Sequence, residues 1–168
     1  MKLSSKALLG VSDLPSCPAV YALYGMSGKR PPYVAYVGST GRLRQRIAQH
    51  LVSRDASIAT GTAAVGMNPD YVTDVKWWED RRFSGKDARE AAELIAFDVF
   101  KPVLRSRKTD TKAARNLYDN RRFRKEIKAL LKKDPSRYLH LPLREEVSRR
   151  LSALEERLDR IKTEERRR

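Results

Sequence analysis

Four side chains within one short stretch are of types that do chemistry together. In "AVYALYGMSGKRPPYVAYVGSTGRLRQRIAQH", residues 19–50, two apolar runs carry Tyr21 and Tyr36, and a helix-like segment behind them carries Arg46 and His50 four apart. Phenols, a guanidinium and an imidazole, joined by a carboxylate, suit phosphodiester hydrolysis. A metal ion held by one carboxylate offsets phosphate charge and polarises the attacked phosphorus. A guanidinium fork matches the oxygens of the pentavalent state. A phenolate can take a proton from water, although a reference pKa near 10 leaves only about 0.1% ionised at neutral pH. Cationic neighbours would have to lower that value, and the rate should then climb from pH 7 toward pH 9.

The elements that must position these groups can be read from pattern. Residues 19–24 and 33–37 are β-branched and aromatic, and the glycines and prolines of residues 25–32 separate them, which predicts a hairpin with a long basic loop. Period two places Tyr21 with Leu23, and Tyr36 with Val34, on one face. Ser39-Thr40-Gly41 caps a helix over 42–51, whose Leu43, Ile47 and Leu51 form the core stripe. Arg46 and His50 flank that stripe at about 100°. Residues 53–70 read as a loop or weak helix, and 71–78 as a third strand. Ser84 with Asp87 resembles a capping box. It opens a helix to Phe100, with Ala88, Ala92, Ile95 and Val99 inward, and Lys101-Pro102 ends it.

Composition bounds the partner. The chain has 168 residues, a net charge of +15 and a pI of about 10.2, which points to a polyanion. Residues 1–100 hold 13 Lys+Arg against 10 Asp+Glu, whereas residues 101–168 hold 23 against 11, so the attraction sits mainly in the C-terminal part. The longest early apolar run, Ala7-Leu8-Leu9 with Val11, is too short for a signal segment or a membrane span. Cys17 is the single cysteine, so no disulfide framework exists and a reducing, cytoplasmic compartment is expected. In the last helix, from Leu143, residues Val147, Leu151, Leu154, Leu158 and Ile161 repeat like a short coiled-coil seam, which packs on its own domain or on a second subunit.

At these residues the sequence resembles the GIY-YIG nuclease superfamily. Ala19-Val20-Tyr21 stands for its first tripeptide and Tyr36-Val37-Gly38 for its second. "LRQRIAQH" has the family's arginine-helix pattern, with Arg46 ten residues after Tyr36. "ELIAFDVFKP" supplies the later glutamate, Glu93, nine residues before Pro102. The likeness covers roughly residues 15–105. It implies an α/β (α+β) module, residues 1–105, with a small three-stranded mixed or antiparallel sheet flanked by helices. A basic helical extension, 106–168, would then clamp DNA or oligomerise. It also implies endonucleolytic hydrolysis of DNA with a single Mg²⁺ (or Mn²⁺) held by Glu93. Tyr21 would be the general base, with Tyr36 assisting or contacting the scissile phosphate, Arg46 stabilising the transition state, and His50 orienting the phosphate or water or helping the leaving group. Three features depart from the family pattern. Ala19 stands where glycine is usual, 15 residues separate the tyrosines, and Arg105 occupies a position where many members have asparagine. Glu90, one turn before Glu93, competes for the metal role.

Taken singly, each residue has a plainer reading: strand packing for the tyrosines, a solvated charge for Arg46, an edge histidine for His50, a surface carboxylate for Glu93. The ordered set in a basic chain favours the nuclease. Candidate phosphate contacts are Lys29 and Arg30 in the hairpin loop, Arg44, Arg105, and the cluster Arg121, Arg122, Arg124, Lys125, Lys128, Lys132 and Lys133 around Tyr118 and Phe123. DNA is preferred because the resemblance prefers it, and RNA stays open. The rival readings are a non-catalytic nucleic-acid-binding module that keeps the fold, and a coiled-coil adaptor whose last helix forms a homodimer.

Overall fold

The computed structural model describes residues 6–8, 10–25, 32–51, 72–104, 110–135 and 137–141, and then 149, 152, 153, 156, 157 and 159–163. Its strands are β1 (Lys6–Leu8), β2 (Ala19–Gly25), β3 (Tyr33–Thr40), β4 (Val72–Trp78) and β5 (Arg137–His140). Its helices are α1 (Leu43–Leu51), α2 (Lys86–Phe100), α3 (Lys112–Asp119) and α4 (Arg121–Leu131), with 3-10 turns at Val11–Asp13 and Arg81–Ser84. The described positions between 149 and 163 are helical and exposed. Among the described residues, no helix is long and apolar enough to cross a membrane.

The mixed α/β character holds, but the sheet is not three-stranded. Five strands lie in the order β1-β5-β4-β2-β3; β5, β4, β2 and β3 run antiparallel in turn, and β1 joins β5 in parallel. β2 is an interior strand, paired on both sides, and both its faces are covered, which is why it reads as a continuous apolar run rather than an alternating one. Tyr21 and Leu23 point into a core with Leu14, Leu43, Ile47, Val75, Trp77 and Leu139. Val20 and Ala22 point into a second core with Phe83, Ala92, Ile95, Ala96, Ile127 and Leu131. The first core places α1 on one face of the sheet; the second places α2 and α4 on the other.

Both cores extend past residue 105. Ile127 and Leu131 of α4 are 0% and 1% exposed, and Leu139 of β5 is 0% exposed. The segment read as a basic extension is therefore, as far as Leu141, part of the same packed body. Its charges had hidden an amphipathic helix and a four-residue strand. Arg82 fastens α4 further: it binds Asp80 and Glu126, and its guanidinium lies over the Phe123 ring.

Several local expectations are met and two are corrected. α1, β4 and α2 fall within a residue or two of the predicted bounds. β3 runs on through Thr40, so Ser39 is a strand residue rather than a cap. The capping box at the start of α2 does not form. Gly85 is the N-cap, the Ser84 hydroxyl donates to the Arg81 carbonyl, and Asp87 accepts from Thr111 instead. At the other end of α2, Lys101 adopts a left-handed backbone (φ 47°, ψ 57°) and turns the chain at Pro102. The chain then runs beside β3, where the Val103 and Leu104 N–H groups donate to Val34 and Ala35 carbonyls and cover part of an edge strand. The seam residues Val147, Leu151, Leu154 and Leu158, and residues 53–70, lie outside the described residues.

If α4 belongs to the core, Ile127→Ala should lower stability by about 2–5 kcal/mol through loss of buried methyls and the cavity left behind. Urea unfolding of the full chain measures this. A loss below about 1 kcal/mol would mean that α4 is an appendage.

Candidate active site

The tyrosine–valine–glycine run of β3 has a direct steric explanation. In the antiparallel register Tyr21 lies opposite Gly38, and Leu23 opposite Tyr36. Tyr21 and Tyr36 are thus diagonal neighbours on one face of the sheet, with ring centroids 6.2 Å apart. The Tyr21 phenol lies across the position a side chain at residue 38 would fill: a Cβ there would fall 2.5 Å from the phenol oxygen and 2.9 Å from the Tyr36 ring. Glycine is the residue that lets both phenols meet.

α1 brings the nitrogen groups. Its first turn is held to the chain before β2 by Leu43 N–H to the Cys17 carbonyl and Arg44 N–H to the Pro15 carbonyl, and Arg44 Nε also donates to the Leu14 carbonyl. With Leu43 and Ile47 buried, the helix has one orientation, and its i, i+4 pair points Arg46 and His50 at the sheet. His50 is 1% exposed, so it is a core residue rather than an edge one. Its Nε2 lies 2.7 Å from the Tyr21 hydroxyl, and its ring meets the Tyr36 ring edge-on at 5.4 Å. The Arg46 guanidinium acts on both phenols by charge and by hydrogen bonding. It also donates to Gln49.

Glu93 arrives from α2, on the opposite side of the sheet. It is 7% exposed, and its Oε2 accepts a 2.6 Å hydrogen bond from Ser39, the residue after Gly38. Its charge acts on both phenols. Glu90, one turn earlier, is also buried and lies 4.0 Å from the Lys86 ammonium. Ser39 was read only as a helix cap; its role beside Glu93 depends on β3 reaching α2, a long-range contact that no local pattern displays.

The electrostatics run against one expectation. The Tyr21 phenol is pushed well above its usual value near 10, first by burial and then by Tyr36 and Glu93, with Arg46 opposing. Tyr36 is raised too, by burial and by Glu93, again against Arg46. Desolvation disfavours a phenolate more than one guanidinium favours it. The cationic neighbour is present, but both hydroxyls keep their protons at neutral pH. Cys17 is likewise no nucleophile, since burial and the Glu79 carboxylate push its thiol up to about 11.

The metal question turns on the donor set. Among the described residues, no three His, Cys, Asp or Glu side chains gather in a metal-binding group. Glu93 offers a hard carboxylate beside both phenols, and Mg²⁺ commonly takes one or two carboxylates, with water and substrate phosphate supplying the rest. The residues present therefore fit an ion shared with the substrate rather than an all-protein cage.

The structure brings together Tyr21, Tyr36, Arg46, His50 and Glu93. It does not leave every proposed phosphate contact free. Arg44 binds the Leu14 carbonyl, Arg122 pairs with Glu126, and Arg124 pairs with Asp98 and stacks on Tyr118. Lys29, Arg30 and Arg105 lie outside the described residues. No protein-family model, curated protein or solved structure matches the chain.

The raised phenols have a measurable consequence. The folded state binds tyrosine protons that the unfolded state releases near pH 10, so stability is complete below that pH and falls as pH rises above it. Absorbance at 295 nm for the intact chain minus Tyr21→Phe should show no ionising phenol up to pH 10. A phenolate titrating below pH 9 would contradict the burial argument.

Proposed function

We propose that this protein is a divalent-metal-dependent endonuclease of the GIY-YIG type that hydrolyses DNA phosphodiester bonds. The observation that carries this reading is convergence from two sides of one sheet. A buried phenol hydrogen-bonded to imidazole, a second phenol and a guanidinium meet a buried carboxylate contributed by α2. A merely structural tyrosine cluster has no need of Glu93, whose charge disfavours ionisation of both phenols.

In the proposed reaction, water attacks phosphorus in line. As its oxygen bonds to phosphorus, its proton passes to the Tyr21 oxygen, and the Tyr21 proton passes across the 2.7 Å hydrogen bond to His50 Nε2. A free phenolate is therefore never required, which reconciles a tyrosine base with a phenol held in its protonated form. The bond to the leaving oxygen breaks on the opposite side, so the configuration at phosphorus inverts, and that oxygen takes a proton from solvent water to leave as the alcohol. Arg46 holds the equatorial phosphate oxygens as their charge grows, and Tyr36 donates to the scissile phosphate. Mg²⁺ (or Mn²⁺), held through Glu93 with Ser39 orienting the carboxylate, offsets phosphate charge when bound. One such centre cuts one strand, and a homodimer through the last helix would supply two.

Glu93→Gln should lower plasmid nicking by at least about 10²-fold, with duplex binding within about twofold of wild type. Excess EDTA should stop nicking altogether. The rate should level off with pH, because His50 rather than a phenolate takes the proton. A profile climbing tenfold per pH unit from 7 to 10 would overturn the relay, and robust nicking by Glu93→Gln would overturn the metal role.

A further inference from the structure

The charges of α4 sort into two sets. Arg122 and Arg124 are committed to Glu126 and Asp98, and Phe123, Ile127 and Leu131 face the core. Arg121, Lys125, Lys128 and Lys132 remain, and among the described residues none of the four forms an ion pair. Their spacings of 4, 3 and 4 place them within an arc of about 60° on one helix face. Lys132 is the C-cap and keeps right-handed helical geometry, so the row is continuous to its end. Arg121, Lys125 and Lys132 are exposed, and Lys128 is half-buried.

We infer that this row is a docking surface for one sugar-phosphate strand of a nucleic acid. This inference rests on the nucleic-acid reading above and deepens it. Four like charges on one face repel each other and gain nothing from folding, so they call for a partner with regularly repeated negative charge. The row is about 16 Å long, close to the axial run of five phosphate-to-phosphate steps on one strand. Exposed Ala129 borders it and leaves room for close approach. A lipid surface fits less well. An interfacial helix inserts an apolar face, and the apolar face of α4 is already buried, with Ile127 at 0% and Leu131 at 1% exposed. Because that face is locked against α2 and Phe83, the row is rigid. It holds the backbone at a fixed place on the body that carries Glu93, and it reads no bases.

Fluorescence anisotropy of the full chain tests this, using labelled 20-base-pair duplexes of two unrelated sequences in EDTA, from 50 to 300 mM KCl. Replacing all four residues by Gln should flatten the log K against log [salt] slope by about 3 to 4, at roughly 0.9 per lost phosphate contact. At low salt the affinity should fall at least about tenfold for both sequences. Lys125→Arg with Lys128→Arg and Lys132→Arg should keep the wild-type slope, which separates charge from damage to α4. An unchanged slope in the Gln variant overturns the inference, as does wild-type binding to vesicles with 30% anionic lipid that exceeds binding to duplex. If the row is correct and the nuclease reading is not, the binding result stands while neither protein nicks plasmid in Mg²⁺. If the reverse holds, nicking occurs and the Gln variant binds as wild type.

Discussion

Tyr21 lies on an interior strand of the sheet with 1% of its surface exposed, and its hydroxyl must find a partner there. Leaving such a group without one costs a few kcal/mol. The partner is His50 Nε2, and much of the architecture can be understood as what that one hydrogen bond requires. The residue facing Tyr21 across the strand pair must be glycine. α1 must begin at once after β3 and be held by the carbonyls of Pro15 and Cys17, so that His50 comes round on its second turn. Burial is also why the phenol keeps its proton: the dry surroundings that make the bond strong make a phenolate costly.

The same constraint links structure to chemistry. A buried phenol bound to a buried imidazole is a poor base by itself and a good relay, since it can receive a proton on oxygen while passing its own to nitrogen. Arg46 and Glu93 then have complementary roles. The guanidinium favours negative charge at the phenols and at a bound phosphate, and the carboxylate makes the centre suited to an added cation. Together the two charges cancel formally, so the centre is close to neutral before any ligand enters.

Legibility in the sequence was uneven for identifiable reasons. Tyr21, Tyr36, Arg46 and His50 were legible because their elements are local, and because their order and spacing resemble the GIY-YIG pattern. β4 and α2 were legible from local pattern, and Glu93 only through the resemblance, which asks for a glutamate ahead of a proline. β1 and β5 were not, since three and four residues give no period to read and their identity comes from pairing across more than 120 residues. The depth of His50 was misjudged because helical phase gives direction, not what covers the helix. The direction of the phenol shift was likewise hidden, because burial is a property of the assembled core. In the cluster at 121–128 charge was visible, but its division into paired and unpaired cations needed Asp98, Glu126 and Tyr118 in space.

All of this depends on a water molecule, activated through Tyr21, being the group that attacks phosphorus. The most direct measurement is plasmid nicking in H₂¹⁸O with Mg²⁺, followed by mass spectrometry of the terminal phosphate. The account predicts one ¹⁸O atom per nick in that phosphate, and loss of labelled product in Tyr21→Phe. Nicked product without ¹⁸O, or labelled product formed by Tyr21→Phe at the wild-type rate, would contradict it.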